Sequence, residues 1–131
     1  MAKLSSQPSI KRIIKEFSNK FKIAKESKNK FYFDGAYYDP DLVFYDKKSG
    51  KIRVILEVEQ GTRKHVVGGI ITADYCMGLQ KERPIFCVVA LTKQDLKDYT
   101  KRQKLIKHYI KNIKKVIISD LKGIISEINK I

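Results

Sequence analysis

The fold class this sequence predicts is a single α/β domain over residues 1–131, with a mixed central β-sheet flanked by helices. Two observations lead there. Apolar residues recur alternately at helical and strand periods in the order α, β, β, β, α, β, α, β, α, which lays helices on both faces of a sheet. The 131 residues, 43% of them hydrophobic, suit one compact core of ordinary domain size and leave no room for a second.

Each element has its own signal. Ile10, Ile13, Ile14, Phe17 and Phe21 recur at helical spacing behind Pro8 and Ser9, which suit a helix start, so an amphipathic helix is expected over residues 8–21 with Glu16 on its flank. A lysine-rich connection leads to Phe31-Tyr32-Phe33, a short aromatic strand, and a turn at Asp34-Gly35. Pro40 to Tyr45 reads as the next strand. The turn Asp46-Lys47-Lys48-Ser49-Gly50 then pairs it, as an antiparallel hairpin, with a strand from Lys51 to Glu59. Thr62 to Leu79 is a helix despite Gly68 and Gly69, and the apolar run Pro84 to Leu91 is a strand covered on both faces. Thr92 and Asp95 resemble a capping box opening one long helix through Leu96, Tyr99, Leu105, Ile106, Tyr109, Ile110 and Ile113. Val116 to Ile118 is a short strand, and Ser119 or Asp120 caps a last helix carrying Leu121, Ile124, Ile125 and Ile128.

Charge points to the partner. Lys and Arg number 28 against 14 Asp and Glu, a formal +14, which favours a polyanion such as DNA or RNA; a generally lysine-rich proteome is the plainer explanation. Cys76 and Cys87 lie far apart without a partner motif, so buried free thiols are expected rather than a disulfide or a zinc site. Met1 to Pro8 is short and polar, and the apolar stretch Val66 to Ala73 is too short to span a bilayer, so a cytoplasmic protein is expected.

The carboxylates carry the chemistry. Side chains alternate along a strand, so Glu57 and Glu59 share one face while Val54, Leu56 and Val58 fill the other. Two like charges on an apolar strand are unfavourable unless a cation or a hydrogen-bond network compensates them, and a divalent metal is the simplest compensation. By the same parity Asp41, Val43 and Tyr45 share a face, and Asp41 lies at the open end of the hairpin, so all three acids can converge.

A leading helix, Pro40-Asp41 on one strand, fifteen intervening residues, then Glu57-Val58-Glu59 on the paired strand, followed by a helix and a strand, resembles the PD-(D/E)xK nuclease superfamily. The resemblance covers Ile10 to Leu91 and implies a restriction endonuclease-like fold. In size, charge and the helix Glu the chain is most similar to archaeal Holliday-junction resolvases, with compact restriction endonucleases close behind. It implies that Asp41 and Glu57 bind one or two Mg²⁺ or Mn²⁺ ions, with the Val58 carbonyl as a further ligand and Glu16 as an added ligand or water contact. Hard oxygen donors suit these cations. The implied reaction is metal-dependent endonucleolytic hydrolysis of phosphodiester bonds in duplex or branched DNA, by a homodimer whose two sites match two strands. The third motif position, usually Lys, is Glu59 here, which would bind a second metal or accept a proton from water. Gln60, Arg63 and Lys64 follow closely enough to supply phosphate contacts. The alternative is a catalytically inactive nucleic-acid-binding module on the same fold.

Plainer readings accompany each residue. Glu57 and Glu59 would be a solvated face partnered by Lys51 and Arg53, Asp41 a turn residue after Pro40, and Glu16 half of an ion pair with Arg12 or Lys20. His65 reads as a surface residue rather than a phosphate contact or general acid, and Tyr32, Tyr37 and Tyr38, near the basic segment Lys25 to Lys30, as edge-strand packing rather than rings that stack on bases. Asp74 would face the site or be satisfied by local hydrogen bonds.

Overall fold

In the computed structural model, residues 2–28, 30–59 and 63–131 are described, with side chains at 7–28, 30–59 and 65–131. The helix α1 (Ala2–Phe17) leads into β1 (Phe21–Lys25), the small hairpin β2 (Phe31–Phe33) and β3 (Ala36–Tyr38), and the larger hairpin β4 (Leu42–Asp46) and β5 (Ile52–Glu59). Then follow α2 (Arg63–Gln80), β6 (Ile85–Ala90), α3 (Lys93–Thr100), α4 (Gln103–Tyr109), β7 (Lys115–Ser119) and α5 (Leu121–Asn129). Five strands form one mixed sheet in the order β1-β4-β5-β6-β7, antiparallel as far as β5 and parallel from β5 to β7. The expected class, one α/β domain with helices on both faces of a mixed sheet, is the observed one.

Two apolar layers hold the sheet. On one face Ile10, Ile13 and Phe17 of α1 and Ile124, Ile125 and Ile128 of α5 pack on Leu42, Phe44, Val54, Leu56 and Val58. On the other, Val66, Ile70, Ala73 and Met77 of α2 pack with Tyr99 and Ile106 on Val43, Ile55, Phe86 and Val88. β6 supplies Cys87 and Val89 to the first layer and Phe86, Val88 and Ala90 to the second, which is why its sequence is apolar without alternation. Both cysteines are buried and free. Among the described residues, no helix is long and apolar enough to cross a membrane.

Several expected boundaries differ. The first helix begins well before Pro8, which lies inside it, and it stops at Phe17, so that Phe21 belongs to a strand. The lysine-rich connection contains β1: Phe21 is buried and Ile23 packs beside it on the same face, while Lys22 between them is exposed and Lys25 ends the strand in solvent, so the lysines obscured the strand. β3 completes a hairpin with β2 through Asp34 (φ 45°) and Gly35 (φ 79°), positive φ at both turn positions, as a two-residue turn between twisted strands requires. The single long helix is two. α3 ends in a tight turn where the Arg102 N–H donates to the Tyr99 carbonyl, and α4 then re-aims the chain to bury Ile106. The Thr92 cap is present, its Oγ1 accepting from the Asp95 N–H at 3.0 Å, and Asp120 is the residue that caps α5.

The stop after α4 has a cause inside the fold. Asp74, buried in the apolar helix α2, accepts hydrogen bonds from the backbone N–H groups of Lys111, Asn112 and Ile113 at 2.7–3.0 Å. The Asn112 amide donates back to the Asp74 carbonyl at 3.0 Å, and the Lys114 N–H donates to the Pro84 carbonyl at 2.9 Å. Together these bonds fix the approach of β7 to β6, and they identify Asp74 as a structural carboxylate of the 111–113 loop.

Candidate functional site

Asp41 and Glu57 meet at the open end of the β4–β5 hairpin. Leu42 pairs with Leu56, so the preceding residue on one strand and the following residue on the other lie opposite each other. Both side chains then occupy the face that Val43 and Ile55 present to α2. The expected parity is the observed one.

The two residues brace each other reciprocally. The Asp41 N–H donates to Glu57 Oε1 at 2.8 Å, and Asp41 Oδ2 accepts from the Val58 N–H at 2.8 Å. The Asp41 carbonyl in turn accepts from the Glu26 N–H at 3.0 Å, which ties the residue to the end of β1. Asp41 is only 2% exposed, whereas Glu57 and Glu59 are half-buried. A carboxylate so deeply buried is stable only with donors on it, and the Val58 amide is one of them. Pro40, which has no N–H to offer, brings the chain into this corner, and Asp41 provides the first amide of the pairing.

Tyr38 adds a donor that the sequence did not flag for this role. Its ring is buried against Phe31, and its hydroxyl stands 3.4 Å from Glu57 Oε2. Burial holds the Tyr38 pKa well above the usual phenol value, and the charges of Glu57 and Asp41 push it the same way. The hydroxyl therefore keeps its proton and donates to Glu57. The signal for this role could only have come from placing β3 beside α2, and β3 itself was not read.

Glu59, two residues beyond Glu57 on the same face, borders a crevice lined by Glu57, Glu59, His65, Val66, Gly69, Phe86 and Val88. Its volume of about 10 Å³ suits one water and excludes a nucleotide. Glu59 also helps to raise the Tyr99 phenol pKa, after burial and Asp95. His65 is exposed, as its reading as a surface residue implied, and it also lines the crevice.

The remaining expected residues separate. Glu16 is exposed on α1, which packs on the opposite face of the sheet, and it adjoins Phe17, whose ring lies against Phe44 rather than near the open end. Val58 turns its side chain into the α1 layer, while its N–H donates to Asp41. Gln60 lies outside the described residues. Arg63 and Lys64 begin α2, and their side chains lie outside the described ones. Arg53 turns away from Glu57 and pairs with Asp46 at 3.4 Å, so it is not the partner that a solvated strand face would provide.

Among the described residues, no three His, Cys, Asp or Glu side chains stand together closely enough to hold a metal ion. A three-carboxylate cage is therefore not what this arrangement fits. Asp41 and Glu57 are carboxylate oxygen donors, the ligand type that hard cations such as Mg²⁺ take one or two of while keeping most of their waters. Comparison with known proteins gave no match among family models, curated proteins or solved structures.

Proposed function

We propose that the chain is a metal-dependent endodeoxyribonuclease that hydrolyses phosphodiester bonds of duplex or branched DNA. The observation that carries this reading is the cross-strand pair of Asp41 and Glu57, braced through Val58 at an open strand end in a chain of net charge +14. A bound Mg²⁺ or Mn²⁺ would acidify a water and neutralise charge on phosphate oxygens. Asp41 and Glu57 would hold it, their orientation fixed in advance by the Val58 and Asp41 amides. Tyr38, kept protonated, restrains Glu57 on the side away from Asp41. Glu59 stands where the related motif has Lys; it can take a proton from an attacking water but cannot stabilise a phosphorane by positive charge. Phosphate neutralisation would fall to the chain's excess of lysines and arginines, and binding should weaken steeply with salt.

One observation favours the rival reading of a non-catalytic nucleic-acid-binding module: a backbone amide already bonds each of the two carboxylates, as a purely structural brace would require. Cleavage decides between them. Supercoiled plasmid, linear duplex and a four-way junction are incubated at low salt with Mg²⁺ or Mn²⁺ and with EDTA. Metal-dependent cutting supports the nuclease, and the preferred substrate distinguishes a resolvase-like from a restriction-like activity. Salt-sensitive binding without cutting on all three supports the module.

The homodimer belongs to the same proposal. α2 exposes Ile71, Tyr75 and Leu79 at 45%, 47% and 53%, spaced four residues apart and hence along one stripe of the helix. Such a stripe suits a two-fold contact between copies, which would give two sites for two strands.

A further inference from the structure

The β2–β3 hairpin has two unlike faces. Phe31 pairs with Tyr38 across the strands, and Phe33 packs its ring edge-on against Tyr75 of α2 at 5.8 Å. The Tyr75 hydroxyl donates to Asp34 at the turn, 3.1 Å away. That face anchors the hairpin to the domain. The opposite face carries the cross-strand pair Tyr32 and Tyr37, with ring centroids 5.9 Å apart and exposures of 70% and 53%. Lys30 sets its ammonium 4.6 Å from the Tyr37 ring. Tyr37 also immediately precedes Tyr38, whose hydroxyl stands 3.4 Å from Glu57, so the strand that carries the exposed Tyr37 also reaches the carboxylate site from its other face.

Two large rings left in water on a rigidly anchored turn, with an ammonium at one ring face, match the chemistry that takes up nucleobases: flat π surfaces for the base and a cation for the adjoining phosphate. Bases inside a duplex are already stacked and cannot use such a platform. We propose that Tyr32 and Tyr37 are a base-stacking platform, and that the nucleic acid taken at this site presents unpaired bases, as a single strand, a flap or the crossover of a branched duplex. The inference rests on the nucleic-acid part of the proposed function and names its substrate class.

A cross-strand tyrosine pair also stabilises a hairpin by itself, so the variants must keep the apolar contact while altering the ring. Tyr32→Phe/Tyr37→Phe keeps both π faces; Tyr32→Leu/Tyr37→Leu keeps bulk and removes them. Fluorescence anisotropy in EDTA follows binding of labelled oligothymidylate and of a blunt duplex of equal length. Expected are tighter binding of the single strand, wild-type affinity in the Phe variant, and a loss of about 10- to 100-fold for the single strand alone in the Leu variant. Equal affinity for both probes, or a Leu variant indistinguishable from wild type, overturns the platform. Binding of neither probe overturns it together with the nucleic-acid reading. Single-strand preference in a protein that cuts nothing keeps the platform and removes the nuclease.

Discussion

Replacing Asp74 by Ala should be among the most damaging single changes in this domain, although the residue stands apart from the carboxylate site. Its Oδ1 accepts from the N–H groups of Lys111, Asn112 and Ile113 at 3.0, 2.8 and 2.7 Å, and its Oδ2 accepts from Lys111 at 3.0 Å. Hydrogen bonds to a charged group contribute about 1.5–3 kcal/mol each. Lys111 is exposed and Asn112 half-exposed, so water replaces much of what those two amides lose, whereas Ile113 is buried and its amide is left unsatisfied. The net cost should be about 3–4 kcal/mol. At roughly 3–4 °C per kcal/mol for a chain of this size, that lowers Tm by about 10–15 °C. Asp74→Asn can keep the oxygen that serves all three amides and should lose only about 1–2 kcal/mol. Gly78→Ala probes the same corner, because an added Cβ would lie 2.5 Å from the Asn112 amide nitrogen. It should destabilise by about 1–3 kcal/mol and combine non-additively with Asp74→Ala. Thermal unfolding followed by circular dichroism measures all three. A Tm for Asp74→Ala within 2 °C of wild type would refute the structural role.

Three further outcomes are expected. Burial raises the pKa of Tyr38, and of Tyr99, above the unfolded value near 10, so their contribution is complete below pH 10 and is lost as pH rises towards the folded values, where only the unfolded chain ionises. Tyr38→Phe/Tyr99→Phe should flatten the alkaline fall in urea stability, and an unchanged slope would contradict the assignment. Burial pushes the Cys87 thiol up to about 12 and raises that of Cys76, so a disulfide reagent at pH 8 should label neither until denaturant is added. Leu79→Lys, at an exposed position, should leave Tm within about 2 °C of wild type while converting a dimer to a monomer in sedimentation equilibrium; a dimer that survives it does not use the α2 stripe.

The hairpin that holds the acids was legible because strand alternation is a strict rule. Once Lys51 to Glu59 is a strand, Glu57 and Glu59 must share a face, and the Asp46–Gly50 turn brings Asp41 opposite Glu57. Helix caps at Thr92 and Asp120 were legible for a similar reason, since a short side chain that binds an amide three residues ahead is a local event. What the sequence concealed depends on distant partners. β1 is an edge strand whose exposed lysines mask its alternation. The stop of α4 short of Ile113 reflects the hold of Asp74 on residues 111–113, far away in sequence. Tyr38 reaches Glu57 only because the small hairpin docks on α2. Glu16 lay at a plausible sequence distance from the motif, yet helix position alone did not reveal which face of the sheet α1 would cover.

The most direct measurement is single-turnover cleavage of a four-way junction and of plasmid DNA with Mg²⁺ or Mn²⁺, by wild type, Asp41→Asn and Glu57→Gln. Both substitutions preserve an oxygen for the backbone brace and remove the charge, so both variants should melt within about 3 °C of wild type. The expected result is metal-dependent cutting by wild type and a loss of at least about 1000-fold in each variant. Cutting retained by both variants, or no cutting by a folded wild type that still binds DNA, would contradict the carboxylate pair as a catalytic site.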